Sequence, residues 1–199
     1  MVEQLEKLDQ QLFLSLNSIN SPFWDPIMNA ITGKLIWVPL YITILIFMAM
    51  KYKRKFYIFI LFIILAAIMA DQASVFIKNL VQRPRPCHEP AIDAFVHMYN
   101  KQCGGMYGFV SSHASNSFDV AMLSLLVIGK RWFTIFIILW ALIVSYTRIY
   151  LGVHYPGDVL CGSLLGILIG WSVYRLFILT DEKILRHNNY FDKPVNTIT

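Results

Sequence analysis

The sequence predicts an all-α fold: an integral-membrane helical bundle of about five transmembrane helices plus an N-terminal amphipathic interfacial helix. Hydrophobic residues make up 57% of the 199-residue chain and charged residues 15%, against about 45–50% and about 25% in soluble domains. The apolar residues are gathered into runs, and clusters of basic residues separate several of them. A soluble domain of this size could not bury so much apolar surface, so the composition excludes that class.

Residues 1–34 predict helices that lie on the membrane without crossing it. The acidic residues near the start fall between apolar residues that recur at helical spacing, which suits the membrane interface. These apolar residues are Val2, Leu5, Leu8, Leu12, Leu16 and Ile19. Helix breakers and aromatic interface anchors follow, namely Pro22, Pro26, Gly33, Phe23 and Trp24. The acidic start and the missing apolar h-region predict no cleavable signal peptide.

Five apolar segments follow, and they predict one transmembrane domain at residues 35–180. Backbone groups find no water in the hydrocarbon core, so each segment must be helical. The segments lie near residues 35–50, 56–78, 113–128, 132–149 and 158–178. The polar remainder, residues 181–199, is predicted to be a cytoplasmic tail.

The basic clusters orient the bundle. "KYKRK" (51–55) and "GKR" (129–131) lie between apolar runs, which favours a topology signal over nucleic-acid binding, so no nucleic-acid partner is expected. Basic residues concentrate on the cytoplasmic side of membrane proteins. The loops 79–111 and 150–157 then share the outer face.

The three cysteines show no zinc-binding spacing. Cys161 lies inside an apolar run and is predicted to pack there. Cys87 and Cys103 share the loop 79–111. They form a disulfide if this loop faces an oxidising compartment, or otherwise stay as two free thiols.

Three polar clusters are predicted at the outer ends of these helices. "KNLVQRPRP" (78–86) follows the second apolar run, "VSSH" (110–113) opens the third, and "TRIYLGVHYPGD" (147–158) joins the fourth to the fifth. Ionisable residues at membrane depth are costly and usually functional. Their convergence on one membrane face predicts a functional site.

His154 and Asp158 are four residues apart, one helical turn, and so share a face. Asp158 would accept the Nδ1 proton of His154 and leave Nε2 free as a base or nucleophile. An isolated pair with this spacing also fits a simple interfacial ion pair.

The cations of the three clusters predict an anionic ligand. Lys78, Arg85 and Arg148 have few carboxylates nearby, and guanidinium groups match phosphate oxygens well. Ser111, at the start of a helix whose free N–H groups favour anions, adds a hydroxyl. The sequence therefore predicts a phosphate-binding pocket.

Two histidines beside a phosphate can divide the chemistry between them. His154 would attack phosphorus, and protonated His113 would give its proton to the leaving oxygen. The carboxylates are too few and too scattered for a pair of magnesium ions. No metal and no cofactor is expected.

The three clusters together resemble the signature of the type 2 phosphatidic acid phosphatases, a family related to the vanadium haloperoxidases. The signature reads K-x6-R-P, P-S-G-H and S-R-x5-H-x3-D. Lys78 with Arg85-Pro86 matches its first part, whereas Arg83-Pro84 is out of register. The second and third parts match residues 110–113 and 147–158, with Val110, Ser112 and Thr147 in place of the proline, the glycine and the first serine. None of these departures removes a charged or proton-transferring group.

The resemblance implies a metal-independent phosphatase that acts through a phosphohistidine intermediate. His154 would be the nucleophile, Asp158 its orienting partner and His113 the general acid. The residues expected to hold the phosphate are Lys78, Arg85, Arg148, Ser111 and Ser112.

Bacterial members of this family with similar size dephosphorylate envelope lipids, so the expected partner is a lipid phosphate in the bilayer. The candidates are undecaprenyl diphosphate, phosphatidylglycerol phosphate, phosphatidic acid and the phosphates of lipid A; the first and last are favoured. The expected location is the bacterial inner membrane, with the site facing the periplasm. A phosphotransferase with an alcohol acceptor and a non-catalytic lipid-phosphate binding or transport protein are the alternatives.

Overall fold

The computed structural model describes residues 2–101 and 103–182, and within them the chain folds into seven α-helices without a β-strand. The predicted all-α fold is confirmed. Most of the predicted tail, from residue 183 onward, lies outside the described residues. The helices are α1 (Val2–Asn17), α2 (Trp24–Ile31), α3 (Val38–Tyr52), α4 (Phe56–Val81), α5 (Ser112–Ile128), α6 (Arg131–Tyr150) and α7 (Pro156–Thr180).

Three stretches of the described chain are long and apolar enough to cross a membrane. They are Leu35–Val81, which holds both α3 and α4, Arg131–Tyr150 and Pro156–Thr180. Helix α5 is shorter, with 17 residues, and carries several serines and Asp119. All five predicted apolar segments are helical, whereas five membrane crossings stay a prediction.

Helix α5 is the centre of the bundle, because it packs against α4, α6 and α7. Its closest neighbour is α7, which presents Gly162, Gly166 and Gly170 at four-residue spacing. A Cβ atom at Gly170 would lie 2.9 Å from the Asp119 backbone oxygen of α5. Such stripes of small residues let helix backbones approach closely in membranes, and here they bring the start of α5 beside the start of α7.

The cytoplasmic end, as predicted from the basic residues, is held by aromatic and ionic contacts. The rings of Phe59 and Phe177 are fully buried, with centroids 4.5 Å apart. Lys55 forms a 2.7 Å ion pair with Asp181 at the end of α7. The "KYKRK" cluster and the start of the predicted tail therefore lie together, at the end of the bundle opposite the three polar clusters.

Helix α1 is amphipathic, as predicted, and lies against α6 and α7. Its Phe13 is fully buried, 5.5 Å from the ring of Tyr155, while Leu5 and Leu8 are exposed. Helix α2 forms even though Pro26 lies inside it. A proline is tolerated in the first helical turn, where its missing N–H has no partner to lose.

The loop between α4 and α5 folds back over the outer end of the bundle. Cys87 and Cys103 form a disulfide within it, so the disulfide is the alternative that the structure adopts. Pro84 forms an isolated β-bridge with Tyr107, and the Arg85 N–H donates to the Met106 carbonyl at 3.0 Å. These contacts fix the backbone on either side of Arg85.

Candidate active site

A cavity of about 410 Å³ lies between the outer ends of α3, α4, α5 and α6. It is lined by side chains from all three polar clusters, as the sequence predicts. The predicted residues at its wall are Lys78, Arg85, Ser112, His113, Arg148 and His154. Further polar residues that the sequence analysis did not select also line it, among them Lys34, Asp71 and Asn116.

His154 lies at the wall of this cavity with 2% of its surface exposed. Its Nδ1 is 3.4 Å from Oδ2 of Asp158, as the four-residue spacing predicts, so Nε2 is the nitrogen free to face the cavity. Burial lowers the pKa of His154 to about 4, although Asp158 opposes this shift. The imidazole is therefore neutral near pH 7, which is the form that can act as a nucleophile.

Asp158 is completely buried behind His154 and does not line the cavity. Its Oδ2 also accepts a 3.0 Å hydrogen bond from the Tyr155 backbone N–H, which fixes the carboxylate at the start of α7. The close approach depends on Gly108, where a Cβ atom would lie 2.8 Å from Asp158 Oδ2 and 3.5 Å from His154 Nδ1.

Four cations line the cavity, the three predicted ones and Lys34, and none of them forms an ion pair among residues 2–101 and 103–182. Arg85 donates to the carbonyls of Tyr107 (3.2 Å) and Cys103 (3.1 Å). Arg148 donates through Nη1 to Thr32 at 2.6 Å, and its buried Nε has no partner in the described chain. Lys78 donates to the Ser112 hydroxyl. Asp71 is the single carboxylate residue that the described chain places at this wall. The cations outnumber it, so the cavity favours an anion.

Ser111 differs from the other predicted phosphate ligands in its position. Its side chain is fully buried, caps α5 by accepting from the Ala114 N–H at 3.4 Å, and is not at the cavity wall. Ser112 is at the wall and bonds Ser74 at 2.7 Å. The structure thus brings seven of the eight predicted residues to the cavity or to its histidine.

Arg83, which is out of register with the signature, contacts the carboxylate oxygen of Asp158 that does not face His154. Its Nη1 lies 2.9 Å from Asp158 Oδ1 and 2.8 Å from Asp9 Oδ2 of α1, and its guanidinium stacks 4.0 Å over the ring of Tyr155. Asp9 also accepts a 2.8 Å hydrogen bond from the Gly157 N–H. The sequence gives no signal for this network, because Asp9 reads as part of the polar face of an interfacial helix.

The fold and the site together define a class: helical membrane proteins with a cavity lined by cations and two histidines. The family model of the PAP2 superfamily matches residues 56–180, so the chain belongs to that superfamily. The predicted family is therefore confirmed.

Two curated relatives are each called lipid A 4′-phosphatase. The relative from Bacteroides thetaiotaomicron is 45% identical over 177 residues, which cover 87% of this chain and 79% of the relative. The relative from Porphyromonas gingivalis is 31% identical over 186 residues and covers 92% and 79%.

Two solved structures share the fold. A transmembrane PAP2 type phosphatidylglycerolphosphate phosphatase from Bacillus subtilis superposes with a TM-score of 0.66 at 24% identity, covering 91% of this chain and 88% of its own. LpxE from Aquifex aeolicus gives a TM-score of 0.63 at 25% identity and covers 83% and 93%.

Proposed function

We propose that this chain, a lipid phosphatase of the PAP2 superfamily, removes the 4′-phosphate of lipid A. The observation that carries the chemistry is the contact of buried Asp158 with His154, which lies at the wall of a cavity that is also lined by His113 and by four cations without a described ion pair. The relative that is 45% identical supports the substrate. A binding or transport protein has no need of an oriented, neutral histidine facing a second histidine.

In the first step, Nε2 of neutral His154 attacks phosphorus, and the bond from phosphorus to the sugar oxygen breaks. Protonated His113 gives its proton to that oxygen, so the lipid leaves as an alcohol. Asp158 stabilises the positive charge that develops on the imidazole of His154.

In the second step, His113 takes a proton from water, and the hydroxide attacks the phosphohistidine. The bond from phosphorus to Nε2 breaks, inorganic phosphate leaves, and both histidines return to their starting protonation states. Lys78, Arg85 and Arg148 stabilise the charge on the equatorial oxygens in both steps. Ser112 binds the phosphate at the wall, and Ser111 contributes by fixing the first turn of α5.

The test is phosphate release by the detergent-purified protein, with EDTA present, from lipid A and from the three other candidate lipids. We expect release from lipid A, and its loss in His154→Ala. His88→Ala, a histidine outside the cavity, is the matched control and should keep full activity. Phosphate release that occurs without EDTA and is abolished by EDTA would overturn the metal-independent mechanism.

The same panel separates the rival functions. An undecaprenyl-diphosphatase from Sulfolobus acidocaldarius is 31% identical over 136 residues, 68% of this chain and 61% of its own length. Faster release from undecaprenyl diphosphate than from lipid A would favour that substrate. A phosphorylated alcohol, formed only when an acceptor alcohol is added, would identify a phosphotransferase.

We also place the protein in the bacterial inner membrane with the site facing the periplasm. Two features support this orientation: the disulfide Cys87–Cys103 lies on the side of the site, and the basic cluster at residues 51–55 lies at the other end. Disulfides persist in oxidising compartments, and basic residues concentrate on the cytoplasmic side.

A further inference from the structure

A second cavity, of about 180 Å³, lies deeper in the bundle between α3, α4 and α5. It shares Tyr41 and Val120 with the cavity of the active site, so the two adjoin. Its wall is almost entirely apolar, with Ile44 and Met48 from α3 and Ile63 from α4. A hydrocarbon-like space therefore lies next to the predicted phosphate site.

One carboxyl group, that of Asp119, interrupts this apolar wall. Asp119 is 1% exposed, and its Oδ1 has no hydrogen-bond partner among residues 2–101 and 103–182. No salt bridge to it occurs in the same part of the chain. Leaving a buried polar group without a partner is costly, and an ionisable residue at membrane depth usually marks a functional site.

Asp119 lies at a definite depth below the phosphate site. It follows His113 by six residues on α5, which is about 9 Å along a helix axis at about 1.5 Å per residue. A lipid whose phosphate contacts His113 would therefore place the first carbons of a chain beside Asp119.

We propose that the second cavity binds the beginning of a hydrocarbon chain of the substrate, and that Asp119 hydrogen-bonds to a hydroxyl group on that chain. This inference rests on the proposed lipid phosphatase function. A hydroxyl both donates and accepts, so it satisfies a carboxyl group in either protonation state. The occupant is the substrate itself, because the cavity adjoins the phosphate site and shares Tyr41 and Val120 with it.

The experiment compares three synthetic acylated glucosamine 4-phosphates that differ only in the chain: tetradecanoyl, 3-hydroxytetradecanoyl and 12-hydroxytetradecanoyl. We expect kcat/KM to be about tenfold higher for the 3-hydroxy lipid, since a buried acceptor gains a partner. The 12-hydroxy lipid, whose hydroxyl lies too far down the chain, should behave like the plain lipid.

The preference for the 3-hydroxy lipid should disappear in Asp119→Leu and persist in part in Asp119→Asn, which keeps hydrogen-bonding atoms. Ser124→Ala is the matched control, because Ser124 is buried on the same helix but bonds only its own backbone, at 2.7 Å to Val120. If Asp119→Leu does not fold, Asp119→Ala takes its place.

Equal rates for the three lipids in the wild-type protein, or an unchanged preference in Asp119→Leu, would overturn the inference. Neither result touches the proposed function, which is tested separately by phosphate release from the lipid panel.

Discussion

At the scale of single residues, Asp158 determines the state of the nucleophile. It is fully buried and contacts three nitrogen groups: His154 Nδ1, the Tyr155 N–H and the Arg83 guanidinium. A buried carboxylate is stable only when it is paired and hydrogen-bonded. Arg83 therefore supplies the ionic partner of Asp158, and Asp158 in turn orients His154.

Removal of the Arg83 guanidinium should slow the reaction without weakening substrate binding. Arg83 is not at the wall of the catalytic cavity, so Arg83→Gln should lower kcat at least tenfold and leave KM nearly unchanged, as for other groups that support a catalytic residue. Arg83→Lys should recover part of the loss. Steady-state kinetics with lipid A would measure this.

The control for Arg83 is Lys7→Ala, which removes an exposed ion pair on α1 with Glu3 (3.0 Å) and should change neither constant. An Arg83→Gln enzyme that keeps the wild-type kcat would show that the contact is only structural.

The buried imidazole of His154 predicts a loss of stability in acid. The folded protein holds the pKa of His154 at about 4, whereas an unfolded chain would titrate near 6.5. Between these values the unfolded chain binds more protons, so the contribution of His154 to the free energy of unfolding falls as the pH falls. It is fully present above about pH 6.5 and is lost as the pH falls through about 4.

Thermal unfolding in detergent at several pH values measures this loss. The melting temperature of the wild-type protein should fall more between pH 7 and pH 4 than that of His154→Asn, which cannot titrate. Parallel decreases in the two proteins would contradict the assignment.

At the scale of elements, the contact between α5 and α7 builds the site. The Ser111 N–H, at the start of α5, donates to the Asp158 carbonyl at 3.0 Å. A Cβ atom at Gly162 would lie 2.5 Å from the Ser111 carbonyl oxygen. The absence of a side chain at this position lets His113 and His154 face the same cavity.

Substitution of Gly162 by alanine should therefore separate the two helices where the histidines meet. We expect a lower melting temperature and a loss of activity of at least tenfold, since overpacking at a helix contact costs about 1–3 kcal/mol. Gly105→Ala is the control, because a Cβ atom there meets nothing within 4 Å. Full activity in Gly162→Ala would mean that the helices adjust without disturbing the site.

The helices could be predicted from the sequence because hydrophobic runs and backbone hydrogen bonding leave few choices in a membrane. The ends were less certain: α4 continues to Val81, past the residue 78 expected from hydropathy. The bounds of α2 could not be predicted, because Pro26 is usually a helix breaker. It is tolerated here because it lies in the first turn. The sequence cannot show how far a polar helix end extends into solvent.

At the scale of the whole molecule, the charges are divided between the two ends. Lys51 and Lys55 lie at one end, where Lys51 donates to the Val127 carbonyl and Lys55 pairs with Asp181. The cations of the active site and the disulfide loop lie at the other end. This division predicts one orientation of the protein in a membrane.

Cysteine labelling in whole cells tests that orientation. In a Cys161→Ser background, a cysteine at Phe95, which is 76% exposed in the disulfide loop, should react with a membrane-impermeant maleimide. A cysteine at the exposed Lys53 should react only after lysis. The opposite pattern would place the active site in the cytoplasm.

The part of the candidate site that could be predicted from the sequence consists of the charged residues at the spacing of the signature. Ionisable residues among apolar runs are costly and usually functional, and this identifies Lys78, Arg85, Arg148 and the two histidines. Asp9 and Lys34 could not be identified in this way, because polar residues are ordinary in an interfacial segment. Asp119 lay inside a run assigned to the membrane, and only the adjoining cavities give it a role.

The ion pair between Asp9 and Arg83 connects the interfacial helix α1 to the support of the nucleophile, so we expect the rate to depend on the surrounding lipid. Helix α1 presents Leu5, Leu8 and Leu12 outward, more than half exposed, while Asp9 on the same helix reaches the support of the nucleophile. A detergent or a thin bilayer that lifted this helix would remove Asp9 from Arg83, the residue that pairs with Asp158. Turnover would then report on the condition of the membrane surface as well as on the concentration of substrate.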